Sequence, residues 1–199
     1  MRLSRRSGIA QVAAAVASAL KRTGIRAVLT GGACATLYSR GAHQSSDLDF
    51  ILQSAHTEAE LDAMMRSIGF RRRGNHYEHA ETPFFVEFPA GPLGIGSDIQ
   101  IKPAIYRVGR VGVPALSPTD SCRDRLAAFY HWRDRQSLET AVAIARWRRV
   151  NLVAIRAWSE KEDALAAFHE FRELLKVARR GRGGTRSKPL RPRRHSSNR

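Results

Sequence analysis

Cysteine is nearly absent from this chain: its 199 residues include Cys34 and Cys122 and no other. Two thiols cannot make a disulfide framework, so the fold must rest on an apolar core, and the composition fits a reducing, cytoplasmic setting. Long apolar runs are missing as well. A membrane-crossing helix needs roughly 20 consecutive apolar residues, and no stretch comes near that. The alanine-rich run Ile9–Leu20 follows three arginines, as a signal peptide would. It has no plausible cleavage site before Lys21 and Arg22, so it reads as a helix. No membrane association is expected, and no internal repeat is visible.

Acid is scarce too. Eighteen Asp and Glu face 34 Lys and Arg, for a net charge of +16. Nine of the basic residues fall within 179–199, which holds no acid, leaving +7 on the rest of the chain. That segment also carries Gly181, Gly183, Gly184, Pro189 and Pro192 and little apolar content. It cannot bury enough surface to offset the entropy of ordering, so it is expected to be a disordered basic tail. Such a tail either attracts polyanions, nucleic acid first, or is merely solvated.

What is present is enough apolar content, 43%, for one domain or a domain with a small satellite. Apolar residues at helical spacing (Ile9, Val12, Val16, Leu20) end at Gly24, which suits a helix C-cap. A short β-rich run, Arg26–Thr30, stops at Gly31-Gly32; Ala33–Tyr38 reads as a helix, Arg40–Ser46 as a polar loop and Asp47–Leu52 as a strand. Thr57 and Glu60 form a capping-box pattern for a helix over 57–68. Phe70–Arg73 and His76–His79 flank Gly74-Asn75 as a hairpin. Thr82–Phe88 is β-prone, 89–97 is a Gly/Pro-rich loop, and 99–116 suggests short strands turning near Gly109. At Ser117 the character changes to helices over about 118–132, 134–149 and 151–178, the last with a break near Glu162. The expected class is α+β. A mixed-sheet core over 1–116 is followed by a helical half over 117–178 and the tail over 179–199.

The chemistry is concentrated in residues 30–52, TGGACATLYSRGAHQSSDLDFIL. In a strand, Asp47 and Asp49 point to one face while Leu48, Phe50 and Leu52 point to the other. Two carboxylates that close repel, and their pKa values are driven apart unless a cation sits between them. Hard oxygen donors suit Mg²⁺. A third carboxylate on a neighbouring strand would complete a two-metal site, with ions about 3.5–4 Å apart. A strand that ends in Gly-Gly and runs into a helix presents backbone N–H groups at a positive helix end, which suits phosphate. Each feature alone is more often a tight turn or a solvated pair of acids. Their occurrence together, in this order, points to nucleotide chemistry.

The ordered set of an apolar residue, Gly-Gly, a spacer and Asp-apolar-Asp resembles the nucleotidyltransferase superfamily of the DNA polymerase β type. The wording GGACATLY…SSDLDFIL most resembles small stand-alone members related to the AbiEii/AbiGii toxins. The resemblance covers residues 28–52 and extends to the helical segment 117–141. The fourteen-residue spacer is slightly long for the superfamily. The resemblance implies that Gly31 and Gly32 cradle a nucleoside triphosphate and that Asp47 and Asp49 hold Mg²⁺. It favours Glu87, in FFVEF, as the third carboxylate, with Asp98 as the competitor. On the helical half, the pairs Asp124-Arg125 and Arg133-Asp134 match residues that complete the site. Arg125 would then bind the triphosphate, where the family often has Lys; Asp134 reads more simply as a helix N-cap. An RNA acceptor and an antitoxin partner are further expectations of the resemblance. The rival readings are a non-catalytic nucleic-acid-binding module on a degenerate fold and a transferase for a small molecule or protein. Outside these motifs, His76 and His79 read as surface residues, facing opposite sides of a strand. Cys34 reads as a small core residue, and Trp132, Trp147 and Trp158 as core packing.

Overall fold

A helix, α1 (Ile9–Thr23), opens the fold and buries Ile9, Val12, Val16 and Leu20 along one face. Gly24 stops it in the left-handed conformation, with φ of 75° and its N–H donated to the Lys21 carbonyl. The computed structural model describes residues 3–180. After α1 come β1 (Ala27–Leu29), α2 (Gly31–Ser39), β2 (Asp47–Leu52), α3 (Glu58–Ser67), β3 (Phe70–Arg73), β4 (His76–His79) and β5 (Thr82–Glu87). Two further strands, β6 (Ala104–Val108) and β7 (Val111–Ala115), complete the sheet. The described residues end in α4 (Pro118–Trp132), α5 (Arg135–Trp147), α6 (Leu152–Lys161) and α7 (Leu165–Arg180). The class is α+β, as expected.

The seven strands form one mixed sheet in the order β3-β4-β5-β2-β1-β7-β6. Two pairings are parallel, β2 with β5 and β1 with β7; the others are antiparallel. One face carries Phe70, Tyr77, Val86, Leu48 and Phe50, all buried. α3 lies on that face: the Tyr77 hydroxyl donates to Asp62 at 2.5 Å, and Arg72 pairs with Glu58 at 2.9 Å. The capping box of α3 is complete, with the Thr57 N–H donating to Glu60 Oε2 at 2.7 Å and the Glu60 N–H to Thr57 Oγ1 at 3.2 Å. α1 packs against α3 and β7.

The helical half is fastened to the sheet through α2. α5 packs on α2, α4 and α7, and α4 also packs on α2. The Tyr38 hydroxyl donates to the Leu116 carbonyl at 2.9 Å, and Arg148 reaches the Leu37 carbonyl at 3.2 Å while lying over the Tyr38 ring. Both cysteines are buried and free.

The last helical stretch divides near Glu162, as expected: Glu162–Ala164 breaks it into two helices, with Asp163 at a φ of 53°. The tail boundary and two of the tryptophans differ from the sequence reading. α7 runs through Arg180, so the first two residues assigned to the tail are helical. Arg179 is tied there by a 2.9 Å bond to the Ala145 carbonyl. The rest of the tail, 181–199, lies outside the described residues. Among the tryptophans only Trp158 is buried; Trp132, at the end of α4, is 77% exposed, and Trp147 lies beneath the Arg40 guanidinium at 4.7 Å. None of the helices among the described residues is long and apolar enough to cross a membrane.

Candidate active site

Alternation along β2 sends Leu48 and Phe50 into the core and leaves Asp47 and Asp49 half-buried on the other face. The parallel register with β5 then sets Asp49 opposite Glu87 and Asp47 opposite Phe85. Residues paired across a sheet share a face, so Asp47, Asp49 and Glu87 stand together. Asp98, the competing third acid, does not join them. It pairs with Arg123 at 2.6 Å in a separate groove of about 540 Å³ that Lys161 and Trp158 also line. That bond holds the Asp98 carboxyl below its ordinary range.

The two glycines are explained by close approach. Gly31 adopts a φ of 62°, and a Cβ on it would overlap the Asp49 carboxylate. A Cβ on Gly32 would come within 2.5 Å of Ser45 Oγ and 3.3 Å of His43 Nε2. Gly31-Gly32 is therefore the first turn of α2 itself, not a turn ahead of it, and any side chain there would push the helix off the carboxylates. The backbone locks this junction, with the Thr30 N–H donating to the Asp49 carbonyl at 2.9 Å.

The polar loop before β2 is also tied in. The Ser45 N–H donates to Thr36 Oγ1 at 3.1 Å, and the Ser45 hydroxyl donates to Asp47 Oδ1. The His43 ring abuts Gly32, with its Nε2 buried and unpartnered. Sequence reading passed over Ser45 and His43. The only hint of them was the length of the spacer that contains them.

α4 brings the remaining charges. Ser117 caps it by accepting from the Asp120 N–H at 3.1 Å, with Pro118 at the first helical position. Two turns on, Arg125 forks onto Asp124 Oδ2 at 3.0 and 2.7 Å. Both residues act electrostatically on Asp49, Asp124 against its ionisation and Arg125 in favour. Burial raises the Asp49 carboxyl most, the charges of Asp47, Glu87 and Asp124 add to that, and the result is a value of about 6. Burial and Arg125 push the His43 imidazole below its usual range. Asp134 is the N-cap of α5, accepting from the Gln136 and Ser137 N–H groups and the Ser137 hydroxyl. It reaches the site only electrostatically, as a charge acting on His43 and Arg125.

The donor set suits a hard divalent cation. Two Asp and one Glu share a face, and beyond the effect of burial the charges of Asp47 and Glu87 raise the Asp49 carboxyl further, a repulsion that a cation would relieve. As the side chains stand, no three His, Cys, Asp or Glu among the described residues are gathered into a ready metal-binding group.

No protein-family model matches the chain, and no curated protein matches it. Among solved structures it is similar to an antigenic nucleotidyltransferase-like protein from Paracoccidioides brasiliensis, at 17% identity over 90% of this chain and 95% of that one, with a TM-score of 0.59. It also overlaps the antibiotic-resistance factor ANT(2'')-Ia, at 10% identity over 87% of this chain and 96% of that one, with a TM-score of 0.48, too loose to argue from. The sheet and helices that set Asp47, Asp49 and Glu87 beside Gly31-Gly32 thus form a nucleotidyltransferase-like fold.

Proposed function

We propose that the chain is a Mg²⁺-dependent nucleotidyltransferase that moves a nucleoside monophosphate from an NTP to the hydroxyl of an RNA acceptor. The observation that carries this is the row of three carboxylates on one sheet face, held against a helix start that has no side chain in the way. In the reaction the acceptor oxygen bonds to the α-phosphorus. The bond from that phosphorus to the bridging oxygen of the β-phosphate breaks, and pyrophosphate leaves with the electron pair. The acceptor proton passes to a carboxylate of the row and on to solvent.

Each group has a role in this scheme. The N-terminus of α2, reached closely because Gly31 and Gly32 lack side chains, attracts the triphosphate. Arg125 adds a positive charge from the helical half. Ser45 holds one oxygen of Asp47 and so fixes its orientation. Asp47, Asp49 and Glu87 would hold Mg²⁺, which when bound neutralises the phosphates and the departing pyrophosphate. Positioning and charge neutralisation supply most of the rate in chemistry of this kind.

The test is incubation of the full chain with each of the four NTPs labelled at the α-phosphate, with Mg²⁺ and total RNA. Label should enter RNA from at least one NTP and stop on chelation. If no NTP labels RNA and none is consumed, the transferase reading fails and a binding module on the same fold takes its place. If label moves only to small molecules or protein, the RNA acceptor is wrong.

A further inference from the structure

The carboxylate face does not end at β5. Register carries it across two more strands: Asp49 lies opposite Glu87, Glu87 opposite His76, and His76 opposite Arg73. One step along, Phe85 lies opposite Asp47, and Arg71 lies opposite Glu78 on the outermost pair. The other face of these strands is covered by α3 and buries Phe70, Tyr77 and Val86. This face is open: Arg71 and Arg73 are exposed, and His76 and Phe85 are half-exposed.

Its composition is unusual for an open sheet surface. In FFVEF, Phe84 and Phe88 pack against the core, whereas Phe85 does not and instead meets the His76 ring at 5.1 Å. Two rings thus adjoin the carboxylates, Phe85 on the strand of Glu87 and His76 on the next strand out. Beyond them, among the described residues, neither Arg71 nor Arg73 enters an ion pair, although Arg72 between them pairs with Glu58 on the other face. The acid on this outer part, Glu78, is occupied by His76 Nε2 at 2.9 Å. The face therefore runs from carboxylates through aromatic rings to exposed cations. Three strand spacings separate β2 from β3, or about 14 Å.

We infer that this face is the bed for the acceptor: a single-stranded polynucleotide with its 3′-hydroxyl at the carboxylates, its last bases on Phe85 and His76, and its phosphates at Arg73 and Arg71. The inference rests on the transferase reading for which end lies where, but not for binding itself. Stacking on aromatic side chains tolerates any base, and cations follow the backbone. The charge gradient sets the direction, because phosphates are repelled from the carboxylate end and drawn to the arginine end. A duplex cannot offer unstacked bases to the rings.

The experiment is fluorescence anisotropy of the full chain with 5′-labelled 12-nucleotide RNA and DNA, each as a single strand and as a duplex, without NTP. Arg71→Glu/Arg73→Glu is expected to weaken single-strand binding roughly tenfold or more at 0.15 M salt. Phe85→Ala is expected to weaken it about fivefold or more. Arg149→Glu/Arg156→Glu changes net charge equally on exposed sites of the helical half, and should cost less than about threefold if the effect is local. The Arg71/Arg73 pair sits on an exposed edge strand, so its variant keeps the test valid even if Phe85→Ala disturbs folding. RNA bound more tightly than DNA identifies RNA as the occupant, and equal binding identifies any single strand. The inference is overturned if both arginine doubles weaken binding equally, or if duplexes bind as well as single strands. Local, single-strand binding without any NMP transfer would sink the transferase reading and leave this one intact. Transfer whose acceptor KM is unmoved by the Arg71/Arg73 double would do the reverse.

Discussion

Asp49 is opposed by its surroundings when it carries charge. Its carboxyl would titrate near 3.8 in water and does so at about 6 in the fold, because burial and three neighbouring acids oppose its charge. A group whose folded pKa is raised favours the fold below the unfolded pKa and loses that advantage as pH rises through the folded value. Without metal, Asp49→Asn should therefore stabilise the protein at pH 7.5 by about 1–3 kcal/mol, discounted for partial exposure. That is a rise of a few degrees in Tm. The gain should fade as pH drops through about 6 and vanish below 3.8. Excess Mg²⁺ should raise the Tm of the wild type at pH 7.5 and leave Asp49→Asn nearly unmoved. Transfer by the variant should fall by about a hundredfold or more. Thermal melts across pH, with and without EDTA, check the first three statements, and a variant less stable than wild type at pH 7.5 would refute them. The acids themselves were legible in the sequence, since strict alternation around Leu48, Phe50 and Val86 fixes their face. Ser45 and His43 were not, because a polar loop has no periodicity to say where its side chains turn.

At the scale of elements, local chemistry decided most boundaries. The Asp47–Leu52 strand and the Phe70–His79 hairpin fall where alternation and Gly74-Asn75 put them. α3 and α4 start where Thr57/Glu60 and Ser117-Pro118 put them. What propensity could not reach was the helix start at Gly31, which depends on close approach to Asp49, and the exposure of Trp132, which depends on where α4 stops relative to its neighbours. The helix caps also mark which acids are engaged in structure. Asp134 accepts three hydrogen bonds at the start of α5, and its hydrogen bond to the Ser137 hydroxyl is the main cause that lowers its pKa. Asp134→Ala should cost about 1 kcal/mol of stability, as removal of an N-cap does, and change kcat by less than about threefold once folded protein is compared. The stability contribution of Asp134 is present above its unfolded pKa and lost as pH falls, the opposite trend to Asp49. Urea titrations with matched kinetics check this, and a collapse of kcat in a fully folded variant would return Asp134 to the active site.

Across the whole molecule, positive charge is concentrated at the C-terminal end of the sequence. The nine basic residues of 179–199 include Arg179, which is engaged with the Ala145 carbonyl at the end of α7. Truncation after Arg180 removes the cations beyond α7 while leaving that hydrogen bond in place. RNA binding by the truncated chain should weaken, and its dependence on salt should flatten, since every phosphate that the protein no longer neutralises takes about 0.7 off the log–log slope for single strands. NTP binding should hardly change. An unaltered slope would mean that the sheet face and the body carry all the charge that matters. The order of the strands has a separate consequence, for how the protein comes into being. α3 and the β3–β4 hairpin are contiguous in sequence and can form as soon as they emerge. The pairing of Asp49 with Glu87 closes around all of them, and β1 must wait for β7, at the far end of the sheet-forming half. Such distant pairings are slow to form, because the entropy of closing the intervening loop is lost before any interaction repays it. The mutual repulsion of the carboxylates falls on that same late step. A chain that has formed only its hairpin and helices therefore still lacks the carboxylate row, which is complete only when β2 and β5 meet.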